Sequence, residues 1–266
     1  MSKILIYDCD GVLGDTEPFG HLPAFNRMWR EMGVPWQWSV EEYGQKLKIG
    51  GGKERLNSLL TAPEFLRVYA PPPDPQDCRR MVAAWHNRKT AIYREIVNAG
   101  RIPARSGVKR LAKEALAAGW TLATASTSAV ESVEAVLQHA MGGELAGRFS
   151  LVLAGDVVAA KKPAPDIYHL VAQRLAVAPA DCVAIEDSHN GLAAAVSTGM
   201  KCVVTVSGYT REEDFSQADI VLSCLGDPGG EVCQVLANRC RAFPGAYFTV
   251  DDLEDVLGRC GERKCL

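Results

Sequence analysis

Residues 4–17, with the sequence ILIYDCDGVLGDTE, decide which fold we predict for this chain. Four apolar residues bounded by polar residues and glycine indicate a short buried strand. The carboxylates of Asp8 and Asp10 follow at its end, where the ligands of open α/β sheets collect. Two acids this close repel each other unless a cation, a shared proton or hydrogen bonds hold them. A magnesium site fits that requirement, and an acidic turn after a strand is the alternative.

The two acids suit different chemical roles. Asp8, at the strand end, is placed to attack phosphorus in line. Asp10, one step into the loop, is placed to pass protons to and from the leaving oxygen. Gly11 lets the chain turn sharply after them. The rest of the sequence must decide between this chemistry and a plain acidic turn.

The composition is that of an ordinary globular protein. A chain of 266 residues with 47% hydrophobic and 23% charged residues can bury a sizeable core, as one large domain or a domain with an insertion. A net charge of −3 gives no basic field for nucleic acid or an anionic membrane. We expect neither a transmembrane span nor a secretory signal. We expect a small-molecule substrate, no nucleic-acid or membrane partner, and a monomer.

The cysteines favour a reducing compartment. Their number is nine, which is odd, and no C-x-x-C pair indicates a zinc knuckle or a thioredoxin-like site. Cys182 and Cys202 lie in apolar runs and are expected to be small core residues. We expect an intracellular protein of the cytoplasm, or of the chloroplast stroma after removal of a transit peptide. Cys260 and Cys265, in the tail from Gly258 onward, receive no role.

A helical insertion follows the first strand. Apolar residues recur at three- and four-residue spacings, the period of an amphipathic helix, near residues 21–32, 40–47, 53–60 and 77–98. Breakers separate these segments, among them a triple glycine at 50–52 and a proline-rich run at 71–75. The pattern predicts a small helical cap domain over residues 17–100.

From residue 101 onward, strands and helices alternate. The apolar runs predict strands at 120–124, 150–153, 182–185, 202–206 and 220–222, and the segments between them predict helices at 107–118, 129–140, 166–175 and 191–198. Such alternation implies a doubly wound, Rossmann-like parallel sheet covered on both faces, formed by residues 1–16 and 101–266. For the end of the chain we expect a helix at 229–243, a strand at 247–250 and a helix at 251–257.

Polar groups follow two further predicted strands. Ser126, Thr127 and Ser128 offer hydroxyls and backbone N–H groups that can hold a phosphoryl group, or can simply cap the next helix. Lys162 stands before a proline, which disfavours helix and lets its ammonium point inward to neutralise phosphate. The alternative is a solvated lysine, the usual state of this residue. Lys162 is preferred to Lys161 because it directly precedes the proline.

An acid pair ends the series. Glu186 and Asp187 follow four apolar residues, and adjacent carboxylates at a strand end again suggest a hard divalent cation bound through oxygen. Asn190, three residues later, is a candidate substrate-binding residue. A helix cap would account for one of the two acids but not for both. The order nucleophile, hydroxyl, lysine, acid pair is the strongest evidence for catalysis.

These four segments resemble the motifs of the haloacid dehalogenase-like hydrolases. The match covers the Asp8-to-Val12 segment, Ser126, Lys162-Pro163 and Glu186-Asp187. The helical insertion resembles the cap of the subfamily that contains β-phosphoglucomutase and small sugar phosphatases. Within that subfamily, residues 41–43 (EEY) and 51–55 (GGKER) are similar to the CbbY-type phosphatases of photosynthetic organisms.

The resemblance implies a mechanism. Asp8, the backbone carbonyl of Asp10 and Asp187 would hold Mg²⁺, with Glu186 supporting them. An aspartyl-phosphate would form on Asp8 while Lys162 and the magnesium neutralise the transferred group. Ser126 would orient that group. Asp10 would protonate the leaving sugar oxygen and then activate water.

The resemblance also implies the substrate, xylulose-1,5-bisphosphate. The residues that would bind its distal part are Glu17, Tyr43, Gly51, Lys53 and Arg55. Elementary chemistry agrees with the last two, because Arg55 offers a planar fork for a phosphate and Lys53 adds charge. A glycine-rich helix start with solvated charges is the alternative. His21 receives no role because the stretch after Glu17 is one residue longer than the family pattern.

Three competing functions stay open. A phosphomutase would use the same core groups and return the phosphoryl group to another hydroxyl. A dehalogenase of this fold does not need the second aspartate, so Asp10 argues against it. A non-catalytic sugar-phosphate sensor would not need the whole set of catalytic groups. The family pattern does not place residues 223–246.

Overall fold

The computed structural model describes residues 2–49 and 51–258 of the chain. Its internal contacts form two compact units. One unit comprises the residues up to Asp15 together with those from Pro103 onward, and the other is Thr16–Ile102. Gly50 of the triple glycine, and Cys260 and Cys265 of the tail, lie outside the described residues.

The first unit is built on a seven-stranded sheet with the order β3-β2-β1-β4-β5-β6-β7. All neighbouring strands run parallel except β6 and β7, which are antiparallel. The strands are β1 (Ile4–Tyr7), β2 (Thr121–Ala125), β3 (Phe149–Leu153), β4 (Cys182–Glu186), β5 (Lys201–Thr205), β6 (Ile220–Leu222) and β7 (Val235–Asn238). The predicted doubly wound α/β fold is confirmed.

The central strands β1 and β4 are buried along their whole length, as expected for a parallel sheet covered on both faces. Tyr7 lies opposite Thr124 of β2 and opposite Ile185 of β4. This register brings the carboxyl ends of the three strands to one edge. The chain order reverses between β1 and β4, which is where ligands of such sheets bind.

The second unit is helical throughout its regular structure. It contains a π-helical turn at Glu17–His21, a 3₁₀ turn at Ser58–Thr61, and the helices α1 (Leu22–Glu31), α2 (Val40–Leu47), α3 (Gly52–Asn57), α4 (Pro63–Leu66) and α5 (Pro75–Asn98). Local sequence sets the helix starts. Ser39 and Glu42 form a capping box before α2, and the Asp74 carboxylate accepts from the first turn of α5.

An aromatic cluster forms the core of the helical unit. Trp29 and Trp38 meet edge to face with ring centroids 4.6 Å apart, and Phe25 contacts Trp38 and Tyr43. Such pairs add about 0.5–1.5 kcal/mol each beyond their burial.

Of the helices in the described part of the chain, none has the length and apolar character needed to cross a membrane.

The remaining helices belong to the sheet-containing unit. They are α6 (Val108–Ala117), α7 (Val130–Met141), α8 (Gly143–Ala146), α9 (Asp166–Arg174), α10 (His189–Ser197) and α11 (Val250–Val256). Cys182 and Cys202 are fully buried within it, as expected.

Two predictions for the end of the chain are wrong. The helix expected at 229–243 is absent from this described segment, which contains β7 instead. Val232, Val235 and Leu236 have helical spacing, but pairing with β6 decides the conformation. The strand expected at 247–250 does not form either: Phe248 N–H donates to the Leu225 carbonyl, and α11 begins two residues later.

Candidate active site

Lys162 is the centre of the candidate site. Its ammonium donates to Asp8 Oδ1 at 2.7 Å, to Glu186 Oε1 at 2.6 Å and to the Ala125 carbonyl at 2.8 Å. These three partners end or follow β1, β4 and β2. The Lys162 side chain is 8% exposed, so the ion pairs form away from bulk water. The Lys162–Pro163 peptide bond is cis.

Glu186 is held by a second donor. The buried Tyr168, on α9, donates its hydroxyl to the same Oε1 atom that accepts from Lys162, and the ammonium lies 5.0 Å from the centre of the Tyr168 ring. A Cβ on Gly191 would lie 1.9 Å from Glu186 Oε2, so the carboxylate packs directly against the glycine backbone of α10. The position of Glu186 is therefore determined by β4, α9 and α10 together.

Burial and charge shift the titration of this cluster. The pKa of Asp8 is raised to about 7, because burial and the nearby carboxylates of Glu186 and Asp10 raise it more than the Lys162 ammonium lowers it. Burial lowers the pKa of Lys162, but the carboxylates of Asp8 and Glu186 outweigh burial and leave that pKa raised. Lys162 is therefore a permanent cation. A cation bound beside Asp8 would favour its charged form.

The residues fit a hard divalent cation. Asp8, Glu186 and Asp187 are buried, and each offers a carboxylate oxygen within 4.8 Å of the others. Buried carboxylates at this density are costly unless charge compensates them. Gly11 makes the approach possible, since a Cβ there would lie 2.0 Å from Asp187 Oδ2. Oxygen ligands of this type suit Mg²⁺.

The second carboxylate of the first loop is held by the loop after β2. Backbone bonds from Gly11 N–H to the Gly14 carbonyl and from Leu13 N–H to the Cys9 carbonyl close the turn around Asp10. Ser128 donates its hydroxyl to Asp10 Oδ2.

The other residues predicted around this site differ in exposure. The buried Ser126 accepts from Ser128 N–H at 3.2 Å. Thr127 is half-buried, and Asn190 is exposed in the first turn of α10.

Within the helical unit, three of the five residues predicted to bind the distal part of the substrate are joined in a chain of hydrogen bonds. The Tyr43 hydroxyl donates to Glu17 Oε2 at 2.6 Å, and Arg55 Nη1 donates to the Tyr43 hydroxyl at 3.1 Å. Arg55 Nε is fixed by the Ile49 carbonyl at 2.9 Å. Gly51 and Lys53 are exposed, and the Gly51 carbonyl accepts from Arg55 N–H at 3.1 Å.

Comparison with known proteins gives the family. The profile of the haloacid dehalogenase-like hydrolases matches residues 2–199. The chain belongs to the haloacid dehalogenase-like hydrolases. The family assignment that the four motifs imply is therefore confirmed, and the chain is a hydrolase by family.

Several relatives of this hydrolase carry the name CbbY. It is 44% identical to the CBBY-like protein of Arabidopsis thaliana over 87% of its own length and 72% of the relative's. A crystal structure of CbbY from Rhodobacter sphaeroides with phosphate matches with a TM-score of 0.71 and 40% identity, covering 84% of this chain and 95% of that one. A CbbY variant from the same organism, in complex with xylulose-1,5-bisphosphate, matches with a TM-score of 0.72 and 39% identity, covering 86% and 97%.

Sequence reasoning missed several contact residues of this hydrolase. Tyr168 lies on α9 and Ser128 in the loop before α7, and their contacts depend on how this helix and this loop pack. In the helical unit, the buried Lys89 lies 2.7 Å from His21 Nδ1, while His21 stacks on Tyr93 at 4.0 Å. The sequence feature that could have identified Lys89 is its place at an apolar position of α5, four residues after the buried Trp85.

Proposed function

We propose that this hydrolase is a magnesium-dependent phosphatase that cleaves a sugar bisphosphate, xylulose-1,5-bisphosphate, through an aspartyl-phosphate on Asp8. The observation that carries the proposal is the buried Lys162 ammonium, 2.7 Å from Asp8 Oδ1 and held by Glu186. A fixed cation beside a carboxylate nucleophile is what attack on an anionic phosphoryl group requires.

The residues of the chain divide the chemistry. An oxygen of Asp8 forms a bond to phosphorus as the bond to the sugar oxygen breaks. Lys162 neutralises charge on the transferred group, and Ser126 orients it. Asp10 gives its proton to the leaving sugar oxygen and then takes a proton from the water that cleaves the aspartyl-phosphate.

Magnesium fits the buried acids of the site. We assign its ligands to Asp8, Asp187 and the backbone carbonyl of Asp10, with Glu186 supporting. When bound, the ion would supply further positive charge against the phosphoryl oxygens. This assignment leaves Glu186 its bonds from Lys162 and Tyr168.

We assign substrate selection to the helical unit. The Glu17–Tyr43–Arg55 chain is supported by its hydrogen bonds and by the relative that binds xylulose-1,5-bisphosphate. Arg55 offers a planar fork to a second phosphate, and Lys53 adds charge near it in sequence. Gly51, Thr127 and Asn190 complete the proposed set of substrate-binding residues.

The test measures phosphate release from a panel of sugar mono- and bisphosphates. The reactions contain magnesium or a chelator, and the proteins compared are wild type, Asp8→Asn and Asp156→Asn. The Asp156 carboxylate is exposed and pairs with the exposed Lys161, so it is the matched control. We expect magnesium-dependent release that Asp8→Asn abolishes and Asp156→Asn retains, with the largest kcat/KM for xylulose-1,5-bisphosphate.

Three results would contradict the proposal. Release that persists in Asp8→Asn would exclude the aspartyl-phosphate. No release from any substrate by a folded protein would favour a sensor. Conversion of a sugar phosphate into its isomer without phosphate release would identify a phosphomutase.

A further inference from the structure

Ser128 lies outside the four motif positions and makes a contact that the proposed mechanism does not yet use. Its hydroxyl donates to Asp10 Oδ2, one oxygen of the side chain to which proton transfer is assigned. Ser128 is two residues after Ser126, the hydroxyl assigned to the phosphoryl group, and its side chain is half-buried.

The backbone of Ser128 is itself fixed. Its N–H donates to the Ser126 hydroxyl at 3.2 Å, and Ser126 N–H donates to the Leu153 carbonyl at 3.0 Å at the end of β3. The Ser128 hydroxyl is therefore placed by the end of the sheet through the loop after β2. A group fixed in this way can hold another side chain in one orientation.

Asp10 has a fixed backbone but a rotatable carboxyl group. The turn from Cys9 to Gly14 holds its main chain, and Asp10 forms a backbone bridge to Gly14. Two χ angles still have to be set before a carboxyl oxygen can reach a leaving group. The bond from Ser128 supplies that constraint at one oxygen, Oδ2.

We propose that Ser128 is the positioning residue of Asp10: by donating to Oδ2, it holds the carboxyl group in the orientation from which Asp10 transfers its proton. This inference rests on the proposed phosphatase function. In the first step Asp8 bonds to phosphorus, the bond between phosphorus and the sugar oxygen breaks, and the electron pair left on that oxygen takes the proton of the Asp10 carboxyl group. In the second step the water oxygen bonds to phosphorus, the bond between phosphorus and Asp8 breaks to release phosphate, and the Asp10 carboxylate takes a proton from that water.

The test separates leaving groups that need a proton from those that do not. A sugar alkoxide needs the proton of Asp10 to leave, whereas 4-nitrophenolate leaves with its charge delocalised. The rate of phosphoenzyme formation is measured by rapid mixing, as the burst of 4-nitrophenolate from 4-nitrophenyl phosphate and as quenched phosphoenzyme from xylulose-1,5-bisphosphate. The first step alone is compared because the second step uses Asp10 with both substrates.

We expect Ser128→Ala to slow phosphoenzyme formation from the sugar bisphosphate about ten- to hundredfold, part of the hundredfold or more that general acid catalysis contributes. The 4-nitrophenolate burst should change less than twofold. Ser128→Thr, which keeps the hydroxyl, should restore most of the rate. Ser132→Ala, which removes a buried hydroxyl of α7 in the same region, is the matched control and should leave both rates unchanged.

Three results would overturn the inference. Equal slowing with both substrates would give Ser128 a general structural or phosphate-binding role. Unchanged or faster reaction with the sugar bisphosphate would show that the bond to Asp10 does not assist proton transfer. Wild-type protein that releases neither 4-nitrophenolate nor phosphate in an Asp8-dependent manner would remove the proposed function, and this inference with it, which distinguishes that failure from the other two.

Discussion

The site at the strand ends and the polar chain in the helical unit are built differently. Around Lys162 the partners are charged, buried and fixed by three strand ends of one sheet. In the helical unit, Glu17, Tyr43 and Arg55 come from a π-helical turn and two short helices, and a phenol hydroxyl lies between the two charges.

This difference suits the first region to the chemical reaction and the second region to substrate recognition. A buried ion pair in low dielectric holds a fixed geometry and strong electrostatics, which phosphoryl transfer needs. Hydrogen bonds through one phenol hydroxyl on short helices hold groups that bind a substrate more weakly and can vary without loss of the fold. We therefore expect changes in the first region to lower kcat and stability, and changes in the second to raise KM.

Lys162→Met should have the largest effect. It leaves the Asp8 and Glu186 carboxylates buried without their cation, which should lower the free energy of unfolding by about 3 kcal/mol, measured with urea in the presence of a chelator. The value of kcat should fall about hundredfold or more. Lys161→Met is the matched control, because its ammonium is exposed and should contribute little to either quantity. Similar losses in the two variants would refute the special role of Lys162.

Arg55→Met should come next. Removing the guanidinium takes away a charge-assisted contact worth about 1.5–3 kcal/mol, so KM for the bisphosphate should rise about tenfold or more. Sugar monophosphates, which lack the second phosphate, should show little change in kcat/KM. Arg67→Met, at an exposed arginine of the same unit, should behave as wild type. A fall in kcat with an unchanged KM would place Arg55 in the chemical step instead.

Tyr43→Phe should have the smallest effect. It keeps the buried ring and removes the hydroxyl that links Glu17 to Arg55. The free energy of unfolding should fall by about 1 kcal/mol and KM should rise a few-fold. Tyr69→Phe is the control, since its hydroxyl donates to the weak acceptor Met81 Sδ at 3.4 Å. No change in KM would show that the hydroxyl does not organise substrate binding.

The sheet was predictable from the sequence because its signal is local. Continuous apolar runs predicted all six parallel strands within one or two residues of their observed bounds. The edge strand β7 was not predictable in this way. Its apolar residues have helical spacing, its side chains are exposed, and pairing with β6 determines its conformation.

In the candidate site, too, some residues were predictable from the sequence and others were not. Asp8, Ser126 and Glu186 were found because each ends or directly follows an apolar strand, and parallel strands bring such positions to one edge. Tyr168 was assigned no role, and Ser128 was considered only for phosphoryl binding or helix capping, since no spacing in the sequence says which atoms their hydroxyls reach. Lys89 was missed because a lysine is usually solvated, although this one is 7% exposed.

The sequence by itself determined the parallel strands, because they follow from local apolar runs, and it determined the family through the resemblance of its four motifs, because these are short segments in a set order along the chain. The tertiary structure decided which oxygen each donor holds. Lys162 and Tyr168 share Glu186 Oε1, and Ser128 donates to Asp10 Oδ2. Such pairings join residues far apart in the chain, and they depend on strand register and helix packing, which no local pattern contains.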